Sequence, residues 1–99
     1  MIKLNKTNFD DTIKSSNPIL VKFGAIWCGP CRSVTQTLKE LETPEFPIYE
    51  VDIDECLDIC ERYKIQSVPT LIIFKEGNII KSHTGFMDKN GIQEFIKNI

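Results

Sequence analysis

The sequence predicts an α/β protein, a three-layer α/β/α sandwich around a mixed central sheet. Two observations carry this expectation. Short apolar runs of strand length alternate with segments whose apolar residues recur at helical spacing. The last third then breaks that alternation, with two strand-like runs flanking Glu76-Gly77-Asn78 before a final helical segment. Strands separated by helices pair in parallel, whereas a tight turn joins antiparallel neighbours, so the sheet must be mixed.

Taken in order, the elements read β-α-β-α-β-α-β-β-α. Thr7 with Asp10 three residues on resembles a capping box and opens a short helix near Thr7–Ser15, which Asn17-Pro18 ends. Ile19–Ala25 is mostly apolar and suits a strand covered on both faces. The next helix is expected from Pro30 to Glu42, with Cys31, Val34, Leu38 and Leu41 on one stripe, and Thr43-Pro44 closes it. Ile48–Ile53 gives a strand, and Cys56, Ile59, Cys60 and Tyr63 mark a short third helix. Thr70–Phe74 and Ile79–Ser82 form the hairpin arms. Asp88 caps a last helix whose Ile92, Phe95, Ile96 and Ile99 are expected to face inward.

Ninety-nine residues make one expected domain, 1–99, with no linker, repeat or low-complexity stretch inside it. A formal charge of -2 gives no reason to expect nucleic acid or an anionic membrane as partner. No apolar run approaches the roughly 18 residues of a membrane span. The early lysines and aspartates leave no apolar core for a secretory signal, so the expected location is the cytoplasm, where thiols stay reduced. Four cysteines in that setting point to redox or metal chemistry rather than a disulfide scaffold. No exposed apolar helix is evident, and a monomer is expected.

The chemistry concentrates in Trp27-Cys28-Gly29-Pro30-Cys31, where an apolar strand gives way to an amphipathic helix. A thiolate, not a thiol, attacks disulfides, and the free N–H groups and dipole of a helix start favour negative charge on Cys28. Pro30 suits the first helical turn because its missing N–H would be unpaired there. Gly29 leaves the backbone beside Cys28 open to a macromolecular substrate, and Trp27 is expected to pack over the site. Cys31 begins the apolar stripe, so its sulfur is expected to be the more buried. That asymmetry makes Cys28 the nucleophile and Cys31 the thiol that resolves the mixed disulfide.

Residue for residue, Trp27-Cys28-Gly29-Pro30-Cys31 resembles the active-site motif of the thioredoxin family, and the element order resembles the family's over essentially the whole chain. The resemblance implies a thioredoxin fold and a cytosolic protein-disulfide reductant with no cofactor beyond the Cys28–Cys31 pair. It implies two kinds of partner: disulfide-containing target proteins and a thioredoxin reductase that restores the dithiol. Ser67-Val68-Pro69-Thr70 resembles the family's cis-proline loop, which implies that Val68 and Pro69 present backbone to an extended substrate. Gly85 matches the family's glycine that lets substrate backbone approach, and Phe23, Ala25 and Asp54 also fit the pattern.

Three positions depart from it. The family usually carries a buried Asp beneath the second cysteine and often a Lys on the neighbouring strand; here the matching residues are Lys22 and Glu50. Their charges suit a swapped ion pair. Lys22 then either favours the Cys31 thiolate as a cation or takes its proton as a neutral amine; Glu50 acting through water is a third route, and a solvent-facing Lys22 has no role. Gly24 stands where the family often has Trp or Ser, leaving Trp27 as the only tryptophan.

Cys56 and Cys60 are expected to be core residues. Positions four apart on a helix hold their Cβ atoms roughly 5–6 Å apart, wider than the roughly 3.5–4.5 Å of a disulfide. A redox switch and zinc shared with Cys28 and Cys31 are the alternatives. His83 is expected at the surface. For the chain as a whole, the alternatives to a redox enzyme are a binding subunit or adaptor on the same fold and a zinc-binding domain.

Overall fold

A computed structural model describes residues 1–99. The strands are β1 (Ile2–Lys3), β2 (Ile19–Gly24), β3 (Ile48–Asp52), β4 (Thr70–Lys75) and β5 (Asn78–Thr84). The helices are α1 (Phe9–Ile13), α2 (Gly29–Leu41), α3 (Leu57–Arg62) and α4 (Lys89–Phe95). Spatial order in the sheet is β1-β3-β2-β4-β5. β3 runs parallel to β1 and β2, while β4 is antiparallel to both β2 and β5, so the sheet is mixed as expected.

Strand alternation divides the core in two. Ile19, Val21 and Phe23 of β2 join Phe9 and Ile13 of α1 and Ile59 and Cys60 of α3 on one face. Leu20 joins Val34 and Leu38 of α2 and Ile92 of α4 on the other. Helices therefore cover both faces of a central sheet, the three-layer arrangement. The first face holds an aromatic knot in which Phe9 lies 6.5 Å from Phe23, 5.8 Å from Tyr63 and 5.9 Å from Phe74, centroid to centroid.

The hairpin closes through Glu76 and Gly77, both at positive φ (53° and 81°), with Lys75 opposite Asn78. Two consecutive left-handed residues suit the right-handed twist of the flanking strands, and Gly77 adopts that conformation without steric cost.

Three expectations are corrected. Thr7 does not cap α1. The N-cap is Asn8, without a side-chain cap bond. Ahead of it, Asn5 Oδ1 accepts from the N–H groups of Thr7 and Asn8, and Asn8 Oδ1 accepts from Asn5 N–H. Asn5 thus captured the Thr7 N–H that the capping box would have used. Ile99 is exposed, because α4 ends at Phe95 and helical spacing no longer governs the last residues. His83 is half-buried, its ring edge-on to Phe95 at 6.3 Å.

Asp88 does cap α4: its side chain accepts from Gly91 N–H at 2.8 Å. Asp88→Ala is expected to cost about 1 kcal/mol, read as a lower denaturation midpoint with unchanged thiol chemistry.

Candidate active site

The sheet register gathers the site. β2 ends at Gly24 and leads into the Ala25–Cys28 turn, where Cys28 N–H bonds to Ala25 O at 3.2 Å. Thr70, the first residue of β4, pairs with Phe23 on one side and Thr84 on the other. The loop before Thr70 and the residue after Thr84 must therefore lie at the same sheet end as the Cys28 turn. Ser67-Val68-Pro69 and Gly85 occupy those two places, and Gly85 N–H bonds to Pro69 O at 2.9 Å.

Cys28 is the N-cap of α2, and its sulfur accepts from Cys31 N–H at 3.2 Å. Gly29 and Pro30 fill the first two helical positions, and Pro30 there sacrifices no intrahelical bond. Cys28 and Cys31 are joined as a disulfide with their Cα atoms 5.3 Å apart. Cys31 is 2% exposed and Cys28 5%, so the order of burial is the expected one. The Cys31 N–H at the helix start faces the Cys28 sulfur, a setting that stabilises a thiolate there.

The Val68–Pro69 bond is cis, as the resemblance implied. Neither the N–H nor the C=O of Val68 takes part in the backbone hydrogen bonds of the chain. Gly85 has φ of 109°, a left-handed conformation suited to glycine, and nothing lies within 4 Å of where a Cβ would stand.

Trp27 is 64% exposed, and its indole N–H bonds to Asp54 Oδ2 at 2.9 Å. That bond ties the ring to the loop after β3. Ile26 and Phe86 add exposed apolar surface to the same loops. Neither stood out in the sequence, where single apolar loop residues carry no periodic signal.

Lys22 is buried, 6% exposed, so the solvent-facing alternative is overturned. Leu20, Lys22 and Gly24 share the β2 face turned toward α2, and strand alternation leaves Lys22 no way out. Its ammonium donates to Thr35 Oγ1 at 2.5 Å and lies 3.4 Å from Glu50 Oε2. Glu50 sits directly opposite Lys22 in the β2–β3 register, which makes the swapped pair real. An open cleft of about 530 Å³ lies beside Cys31, with Lys22, Thr35 and Glu50 in its wall.

Thioredoxin is the family model that matches the chain, over residues 1–98. The chain belongs to the thioredoxin family. A thioredoxin of Chlamydia pneumoniae is 42% identical over 100% of this chain and 95% of its own length. One from Staphylococcus saprophyticus is 36% identical over 98% of this chain and 95% of its own. The solved structure of a mutant thioredoxin from Halobacterium salinarum superposes with a TM-score of 0.87 at 26% identity, covering 97% of this chain and 87% of that one. Membership and the bonded Cys28–Cys31 pair make the chain a thiol–disulfide oxidoreductase acting on protein disulfides, and favour that reading over a binding-only subunit.

The other cysteines are built differently. Cys56 and Cys60 are free and buried in the α1/α3 core, with Cys56 capping α3 rather than lying within it. No group of three or more His, Cys, Asp or Glu side chains is placed to hold a metal ion. Burial, reinforced by nearby Glu55 and Asp52, pushes the Cys56 thiol above its usual 9.0; burial with Cys56 and Asp52 beside it does the same for Cys60. The folded state thus holds protons that the unfolded chain releases. The resulting stability is complete below the usual thiol value and is lost as pH rises through the folded values. A Cys56→Ala/Cys60→Ala double variant is expected to lose less stability than wild type between neutral pH and pH of about 10, measured by urea unfolding at each pH.

Proposed function

We propose that the chain reduces the disulfides of target proteins through Cys28 and Cys31 and is itself re-reduced by a thioredoxin reductase. The observation that carries this reading is the placement of Cys28 Sγ at the N-cap of α2, bonded to a more deeply buried partner. Once reduced, Cys28 attacks a target sulfur and forms a mixed disulfide. Cys31 then attacks Cys28 and releases the second target sulfur. Both electrons come from the dithiol, so no cofactor beyond the pair is needed.

The target lies in extended form across Trp27, Gly29, Pro30, Val68, Pro69 and Gly85. The unpaired N–H and C=O of Val68 support this, because they suit strand addition by a peptide. Open space over Gly29 and Gly85 admits its backbone. Exposed Ile26, Trp27 and Phe86 supply apolar contact for side chains flanking the target cysteine. We place the protein in the cytoplasm as a monomeric single domain, without nucleic-acid or membrane partners; its helices include none long and apolar enough to cross a membrane.

Catalysis of insulin disulfide reduction by dithiothreitol tests the proposal. Acceleration by the folded protein supports it, and no acceleration by folded, fully reduced protein overturns it.

A further inference from the structure

A buried cation beside a redox sulfur calls for an electrostatic account. Lys22 Nζ donates to Thr35 Oγ1 and lies 3.4 Å from Glu50 Oε2, so it is held between a hydroxyl and a carboxylate. Its position relative to Cys31 follows from Gly24. A Cβ on Gly24 would fall 3.3 Å from both Lys22 Nζ and Cys31 Sγ, and 3.1 Å from Lys22 Cε. Nζ and Sγ are therefore separated by at most twice 3.3 Å, with no side chain of residue 24 between them. Lys22 and Cys31 are both buried, where a charge acts more strongly than at the exposed surface.

We propose that Lys22 is a positioning residue that holds Cys31 as the thiolate during resolution of the mixed disulfide, with Glu50 limiting its effect. The proposal rests on the resolving role of Cys31. In that step the Cys31 proton leaves to water in the cleft, and the thiolate electron pair forms the Cys28–Cys31 bond. The Cys28–target bond breaks with its electron pair on the target sulfur, which takes a proton from solvent. The cysteine pair is oxidised by two electrons and the target disulfide is reduced by the same two.

The surroundings set the sign. From α2, Arg32 and Lys39 line the same cleft; from β1, Lys3; from β3, Glu50 and Asp52. The β4 residue opposite Lys22 is Leu71, which carries no charge. Lys22 is the buried member of this set, so its charge is the least screened by water and salt. Glu50, 32% exposed, is its counter-charge and opposes the thiolate.

The test is a pH titration of Cys31 by thiolate absorbance in a Cys28→Ser/Cys56→Ala/Cys60→Ala background, in which Cys31 is the only thiol. Adding Lys22→Met is expected to raise the midpoint by about one pH unit or more, the effect of removing an opposite charge at this range. Lys22→Arg is expected to keep the midpoint near the parent value. Glu50→Gln keeps Lys22 and lowers the midpoint, which preserves the test if Lys22→Met fails to fold. An unchanged or lowered midpoint in folded Lys22→Met, or a raised one in Glu50→Gln, overturns the proposal. No target is present in this titration, so its failure is distinct from a failure of insulin reduction.

Discussion

Cys28→Ser is expected to abolish disulfide reduction, lowering the rate by at least about a thousandfold, because serine has no sulfur with which to form the mixed disulfide. Cys31→Ser is expected to lose turnover as completely, but by a different route. The first exchange still occurs, since Cys28 retains its place at the start of α2 and the N–H of residue 31 still faces its sulfur. The step that fails is release. The two variants are therefore alike in steady-state assays and separable by whether a covalent adduct accumulates. Insulin reduction followed by non-reducing electrophoresis measures both.

Phe9→Ala is expected to be the most damaging substitution away from the site. Phe9 belongs to a five-residue helix, too short to stand without packing, and its ring joins α1 to β2, β4 and the end of α3. Arg62 lies 6.0 Å over the same ring and is paired with Asp10, so the contact continues to the surface. Truncation of a buried phenylalanine costs about 3–5 kcal/mol, against a total of about 5–15 for a domain of this size. A fall in the urea midpoint of more than about 1 M is expected. Fluorescence of Trp27, the only tryptophan, follows the transition because unfolding frees its indole from Asp54. The folded fraction should reduce disulfides at the wild-type rate per folded molecule, since Phe9 lies on the opposite face of the sheet from Cys31.

The element order was legible because periodicity is a property of many residues at once. Val34, Leu38 and Ile92 landed in the core where their spacing put them. Caps are decided by one or two side chains, and there Asn5 and Asn8 outcompeted Thr7. Cys28 and Cys31 were legible from local context alone. The cis bond at Pro69 came only from the resemblance, since X-Pro sequences are mostly trans. Lys22 shows the limit most clearly. Its place in an apolar run hinted at burial, but the 3.4 Å contact with Glu50 depends on the β2–β3 register. The bond between Trp27 and Asp54 likewise joins two loops that the chain alone does not bring together.

A single turnover of the reduced protein with a peptide carrying one disulfide tests the dithiol mechanism most directly. Wild type should free both peptide thiols and end with Cys28 bonded to Cys31. Cys31→Ser should free one and hold the other on Cys28, located by mass spectrometry of the proteolysed adduct. Attachment of the peptide to Cys56 or Cys60, or no adduct in a folded Cys31→Ser protein, would contradict the account.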